Sequence, residues 1–434
     1  MAGIRITLKE TGQQSIARLW VHTPPESEKK EESDYLIHFR RPETYNGEFG
    51  FDWMRDDYST VCNNYEELKK EYYDCEKNEK VELGHKEYFV PWLSMLPKQE
   101  DDDELKREVK LKIEVEKLNN YQIQDDDYIE IPSKAGVIFN PNKIKVSEIN
   151  KNTTIEVICK EPLERDICII VLDKNNIEVG KLNVFANNEI LTLDIKFVKV
   201  YWERHLKQLK EINNLRNANG YIDVLKKSLG QALINVNILQ SDFDKWDSIK
   251  IEDLKREKGE ILFDTSNRMT KEGRKRVKEK CPIENYKGIV VFYTSFNKVP
   301  ENRYAAGDAQ IYPLDYKFVF IYQNSARNTD LSHEIGHTLG LEHSFDELKN
   351  NQGEILTQNQ RIEELELEIK RTRLVHDLKV KKDKLSIMKK NLHKYKEGKT
   401  SNIMDYTLYG EFDIKDFSHW QWKVMRDEVK NFYN

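Results

Sequence analysis

The stretch Asp330-Leu-Ser-His-Glu-Ile-Gly-His-Thr-Leu-Gly-Leu-Glu-His343 decides how the rest of the chain is read. On a helix, His333 and His337 lie one turn apart on one face, so both imidazoles can reach one ion. Glu334, one residue after His333, puts its carboxylate beside that ion and within reach of a water molecule. Gly340 follows His337 by three residues, where a glycine takes the positive φ that ends a helix and turns the chain back. His343 then returns as a third ligand. The opposite face carries Leu331, Ile335 and Leu339 at i, i+4, i+8, a stripe that predicts burial against a sheet. One helix thus has a wet ligand face and a dry structural face.

The full spacing H-E-x-x-H-x-x-G-x-x-H resembles the metzincin zinc endopeptidases, in which a methionine-containing turn comes later in the chain. Ser401-Asn-Ile-Met-Asp-Tyr406 matches such a turn. The resemblance covers roughly residues 190 to 434 and implies Met404 as the apolar floor beneath the ligands. It also implies Tyr406 near the metal, as in astacin-like and serralysin-like members. The His343-Ser344 step is more like matrixins, so the subfamily stays open. The glycine-rich calcium repeats of serralysins are absent, and calcium dependence is not carried over.

At 434 residues, with 38 % hydrophobic residues, the chain can form several domains and bury a substantial core. Its net charge of −6 with 34 % charged residues does not suit a general nucleic-acid binder. The longest apolar runs, 167–172 and 289–293, fall far short of the ~20 residues of a membrane span. The first residues alternate like a strand and show no continuous apolar core of a secretory signal. The expectation is a chain made in the cytoplasm, with a non-classical route or an injection system as the candidate means of export. Five scattered cysteines form no disulfide framework, although Cys62 with Cys75, or Cys159 with Cys168, could pair in an oxidising space.

The fold class read from the sequence is α+β and multidomain. Residues 1–97 read as a β-rich domain, with strands at 4–8, 17–21 and 35–39 and a helical stretch at 63–77. The aromatics and histidines there, including Trp53, Trp92, His38 and His85, could line a binding surface, with core packing the preferred reading. An acidic, apolar-free run marks 98–108 as a linker. Short alternating strands over 109–188 predict an immunoglobulin-like β-sandwich serving as spacer or docking module. Residues 189–434 read as the metzincin-like domain, in which strands alternate with helices before the histidine helix. The resemblance places an edge strand at Gly307–Ile311, to which an extended substrate adds by main-chain hydrogen bonds. The basic stretch 271–280 reads as a solvated helix. His419, on a final helix capped by Ser418, is not assigned as a ligand.

An insertion at 344–400 separates His343 from the methionine turn. Ile355, Ile362 and Ile369 recur every seven residues, as do Leu378, Leu385 and Leu392, and the two registers do not join. Acids dominate the first half and bases the second, so folding back pairs opposite signs. A single helix over 354–396 would run ~65 Å, too far for its flanks to bring Met404 back to the histidines. The sequence predicts an antiparallel helical hairpin that shapes substrate choice and leaves the chemistry alone.

The expected function is a zinc-dependent endopeptidase holding one Zn²⁺ at His333, His337 and His343, with an open position for water. Glu334 is the expected general base and acid, and Tyr406 the expected oxyanion donor. The expected partner is a protein or peptide substrate, with docking through the N-terminal modules or the hairpin, and no nucleic acid. The layout also fits a bacterial secreted or injected effector. A zinc-containing scaffold with weak or no catalysis is the alternative, against which the intact Glu334 speaks, since a structural site needs no base. Because every catalytic group follows residue 330, residues 1–186 are expected to be dispensable for cleaving a short peptide.

Overall fold

The computed structural model describes residues 4–11, 14–21, 33–98, 109–281, 286–298, 306–312, 316–325, 327–350, 352–406 and 415–433. The architecture is α+β with several multistranded sheets. Among the described residues, strands Ile4–Thr11 and Gln14–Val21 pair with each other as a two-stranded antiparallel sheet.

The sequence places a boundary at 98–108, of which 99–108 lie outside the described residues. The sheets cross that boundary. Tyr35–Arg40 pairs antiparallel with Val109–Lys117, completing a four-stranded sheet with Thr154–Cys159 and Val137–Asn140. Gly50–Asp52 and Trp92–Ser94 extend the six-stranded sheet that contains Glu178–Val184 and Ile167–Asp173. Ile37, Phe39, Phe51 and Leu93 share one core with Ile113, Val157, Ile169 and Leu182. Residues 35–95 and 109–184 therefore build one sandwich, where the sequence reads two modules. Alternation shows which face of a strand is buried and says nothing about which distant strand lies beside it. The helical reading of 63–77 reduces to the short helix Tyr65–Lys70.

Beyond residue 190 a second six-stranded sheet forms. Its order is Ile234–Ile238, Leu191–Tyr201, Ile289–Thr294, Phe318–Ile321 and Gly307–Asp308, with Asp247–Lys250 pairing the far part of the long strand. All pairs are parallel except the last, so Gly307–Asp308 is an antiparallel edge. The central strand Ile289–Thr294 is buried at every position and apolar or aromatic up to Tyr293, as suits a strand covered on both faces. Leu225 and Leu229 of helix Tyr221–Gly230, with Leu331, Ile335 and Leu339, cover one face. Val277 of helix Lys271–Lys280 packs on the other.

The insertion folds as two helices, Gln358–Arg371 and Val375–Lys390, broken at residues 372–374. Lys381 and Lys389 on the second meet Glu368 and Glu366 on the first, at 3.1 and 2.6 Å. Thr357 and Gln360 form a capping box at the start of the hairpin, and Ser418 and Gln421 form another at helix His419–Glu428.

The sandwich and the C-terminal half also share a core. Met54, Tyr58, Val61, Leu68, Tyr72, Trp92 and Phe185 pack in one cluster with Leu193, Leu229, Leu331, Met404 and Trp422. His419 is 0 % exposed, stacked on Trp92, with Nδ1 3.3 Å from Asp52 and Nε2 3.0 Å from Glu71. It joins the two halves of the chain and lies outside the histidine triad. All five cysteines are free. Among the described residues, no helix is long and apolar enough to cross a membrane.

Candidate active site

Helix Asp330–Thr338 carries the first two histidines and ends in a Schellman turn. Leu341 N–H donates to Gly336 O (3.0 Å) and Gly340 N–H to His337 O (3.1 Å), with Gly340 at φ +83°. The predicted reversal is present, and its cause is the residue without a Cβ. Past it, the chain carries His343 back toward the helix.

The three imidazoles converge. Their ligand atoms lie within 4.8 Å of one another, and among the described residues no other histidine, cysteine and carboxylate cluster could hold a metal ion. Each ring is oriented through its other nitrogen. His333 Nδ1 lies 2.7 Å from Ile403 O, His337 Nδ1 2.8 Å from Leu341 O, and His343 Nδ1 2.6 Å from Glu347 Oε1. An acceptor at each Nδ1 assigns the proton there and turns each Nε2 lone pair toward the shared space, where that of His343 also meets the Tyr406 hydroxyl at 2.8 Å. His333 Nε2 and His343 Nε2 then face each other at 3.3 Å, an arrangement of two acceptors that a cation would satisfy. Burial, reinforced by the neighbouring rings, holds His333 well below the usual imidazole range and His337 down to about 3. Neutral imidazoles with converging lone pairs are the donor set a divalent metal requires.

The turn at 401–406 supports the site from beneath. Met404 is fully buried, and a Cβ on Gly336 would come within 2.7 Å of its Sδ, so the turn packs directly on the helix. Its neighbour Ile403 supplies the carbonyl that orients His333. Tyr406 stacks near His333, and its hydroxyl lies 2.8 Å from His343 Nε2.

Glu334 follows His333 on the same helix and lies against the edge strand at Gly307. Its side chain lies against the edge strand so closely that a Cβ on Gly307 would meet its Cγ at 2.3 Å and its carboxyl at 2.6 Å. Burial, with Asp308 and Asp330 adding to it, pushes this carboxyl well above the usual range. A cation held at the histidines would favour the ionised form.

A cavity of about 470 Å³ opens beside His337 and His343, between Ala309–Tyr312 of the edge segment and the foot of the hairpin at Arg361, Lys384 and Lys394. The hairpin is more than a wall. Lys394, 1 % exposed, donates to His343 O at 2.6 Å and to Glu342 at 3.1 Å. Glu342 also accepts from Gln358 (2.8 Å) and Arg361 (3.1 Å). Burial pushes the Glu342 carboxyl up, but Lys394 and Arg361 outweigh it and hold it at about 2. Asn391 donates to Gly340 O (2.8 Å) and accepts from Glu342 N–H (2.9 Å).

The foot of the hairpin is bonded to the turn that presents His343, a contact that the expectation of a hairpin acting on substrate choice alone does not include. Lys394→Met removes the cation shared by Glu342 and the His343 carbonyl, leaving the carbonyl without that donor and Glu342 with Arg361 and Gln358 alone. Metal affinity in a competitive chelator titration is expected to weaken roughly 10- to 100-fold, as for other partners that orient a ligand. Unchanged affinity would return the hairpin to substrate selection alone.

The structure thus brings together His333, His337, His343, Glu334, Met404 and Tyr406, all read from the sequence. Glu347, Glu342, Lys394, Asn391 and the contact of Gly307 with Glu334 were not read. Glu347 follows His343 by four residues, but that stretch is not helical, so the i, i+4 argument that finds His333 and His337 does not reach it. Lys394 carried no signal, since a lysine in a basic run reads as solvated.

No protein-family model matches the chain, and no curated protein matches it. Among solved structures, one described as "Structure of a chaperone-substrate complex" is similar over 44 % of this chain, at 14 % identity and a TM-score of 0.22. The chain covers 28 % of that structure's length. The crystal structure of metalloproteinase-II from Bacteroides fragilis is similar over 58 % of this chain and 75 % of its own, at 12 % identity and a TM-score of 0.21.

Proposed function

We propose that the chain is a zinc-dependent endopeptidase of metzincin type. One observation carries this reading: three imidazoles, each fixed through Nδ1, converge next to Glu334, a carboxylate that is not among the converging donors. A structural metal site has no use for that free carboxylate.

His333, His337 and His343 would hold the ion. Bound there, zinc would supply a Lewis acid that polarises the scissile carbonyl and acidifies water. An extended substrate adds to the edge strand at Gly307–Asp308, which places its backbone across the face of Glu334. Glu334 takes the proton of the attacking water on a carboxylate oxygen and delivers it to the leaving amine, acting as base and then acid. The Tyr406 hydroxyl donates to the oxyanion of the tetrahedral state.

The test is chelation followed by reconstitution. Removing metal is expected to abolish cleavage of peptides, and one equivalent of zinc to restore it; cleavage by metal-free protein would overturn the proposal. Tyr406→Phe keeps the ring and its stacking and deletes only the hydroxyl. It is expected to lower kcat about 10²-fold with metal content and KM little changed, because the lost bond forms mainly in the transition state. Wild-type turnover in that variant would remove Tyr406 from the mechanism.

The alternative is a scaffold that keeps a structural zinc, and the effector role is motivated by the modular layout together with the absence of a visible secretory signal pattern. The proposed substrate is a polypeptide.

A further inference from the structure

The edge strand separates two cavities. Along 307–311, Ala309 and Ile311 line the histidine cleft, whereas Asp308 lines a second cavity of about 650 Å³, and Gln310 borders both. Alternate residues of an extended segment face opposite sides, so a substrate strand laid along this edge would also send alternate side chains to the two sides.

The second cavity is lined by cations. Helix Lys271–Lys280 contributes Lys271, Arg274, Lys275 and Lys278, and Lys298 joins them. Three carboxylates share the lining: Glu260, Glu272 and Asp308. Glu260 is engaged by Arg276 at 2.7 Å, and Asp308 by Arg274 at 2.9 Å and Lys298 at 3.2 Å. Lys275 lies 3.8 Å from Glu279. Lys271 and Lys278 have no carboxylate within ion-pair distance among the described residues. Lys278 is half-buried; its ammonium lies 3.4 Å from the Tyr316 hydroxyl and 5.4 and 5.9 Å from the Tyr316 and Phe318 rings. A half-buried ammonium lying on two aromatic rings, with Asp308 and Glu279 acting on it only from beyond ion-pair distance among the described residues, is placed to receive an anion.

We propose that this cavity binds the carboxylate of an acidic residue in the substrate, with Lys278 as its principal contact and Lys271 and Lys275 at its rim. This rests on the peptidase reading and adds specificity to it: the enzyme selects polypeptides with Asp or Glu close to the scissile bond.

The experiment scans a fluorogenic peptide with a single Glu, and separately a single Gln, at each position around the cleaved bond. The readout is the Glu/Gln ratio of kcat/KM, measured for the wild-type protein and for Lys271→Gln, Lys275→Gln and Lys278→Gln. A roughly tenfold preference for Glu is expected at one position, reduced to near parity by Lys278→Gln and weakened by added salt. No preference at any position, or one that survives all three substitutions, overturns the proposal. If no peptide is cleaved at all, the peptidase reading fails first. Calorimetric binding of the Glu and Gln peptides to Glu334→Gln protein, with and without Lys278→Gln, then still reads the cavity. Tighter binding of the Glu peptide that is lost with Lys278 supports the site, and equal binding of both peptides overturns it.

Discussion

Glu334→Gln is expected to lower kcat about 10³-fold while metal content stays at its wild-type value. The substitution keeps the shape of the side chain and removes only its capacity to take a proton. Glu334 is not among the atoms that converge at the histidines, so the ion should not depend on it. Its position depends on Gly307, where an added Cβ would overlap Glu334 Cγ at 2.3 Å. Gly307→Ala therefore serves as an independent probe. The edge strand is tied to Phe318–Ile321, so the flexible carboxyl side chain must give way, and a loss of activity with retained metal is expected. Activity assays paired with metal analysis check both variants. Full activity in Glu334→Gln would mean that the base is elsewhere. Full activity in Gly307→Ala would mean that the carboxylate is free to reorient.

A fragment beginning at Asn187 is expected not to fold, contrary to the sequence reading that residues 1–186 are dispensable. Seven apolar or aromatic side chains from before that point, Met54, Tyr58, Val61, Leu68, Tyr72, Trp92 and Phe185, sit in the cluster that also holds Leu331 and Met404. At about 1.5–3 kcal/mol for each large side chain buried, their removal costs more than about 10 kcal/mol, comparable to the whole stability of a typical domain. The cut also removes Asp52, which accepts from His419, and the Tyr72 and Trp92 rings packed on that imidazole, so the start of the last helix loses its cover. It further removes Asn63, whose N–H donates to Lys394 O at 2.8 Å and whose side chain donates to Asp346 at 2.7 Å. The segment that braces His343 loses its support as a result. Circular dichroism and thermal melting of residues 187–434 check this. A soluble monomer that melts cooperatively and cleaves peptide would show that the sandwich is an accessory.

The local periodicities of the chain specified much of the site. The i, i+4 spacing of His333 and His337, the stripe of Leu331, Ile335 and Leu339, and the positive φ at Gly340 each follow from the geometry of a single helix. The broken heptads and opposed charges of 354–396 likewise define two helices before any contact is known. These features span a few residues, and their physics is local. What only the tertiary structure decided are contacts between segments far apart in the chain. The carbonyl of Ile403 orients His333, Lys394 holds the turn before His343, and Gly307 lies against Glu334. The pairing of Tyr35–Arg40 with Val109–Lys117 across an acidic stretch belongs to the same class. A strand's alternation and a lysine's charge are the same whichever partner the fold supplies, so neither pattern encodes the partner. Lys394 reads as solvated and is buried because Glu342 and the His343 carbonyl together offset its desolvation, a balance that exists only once the hairpin is docked.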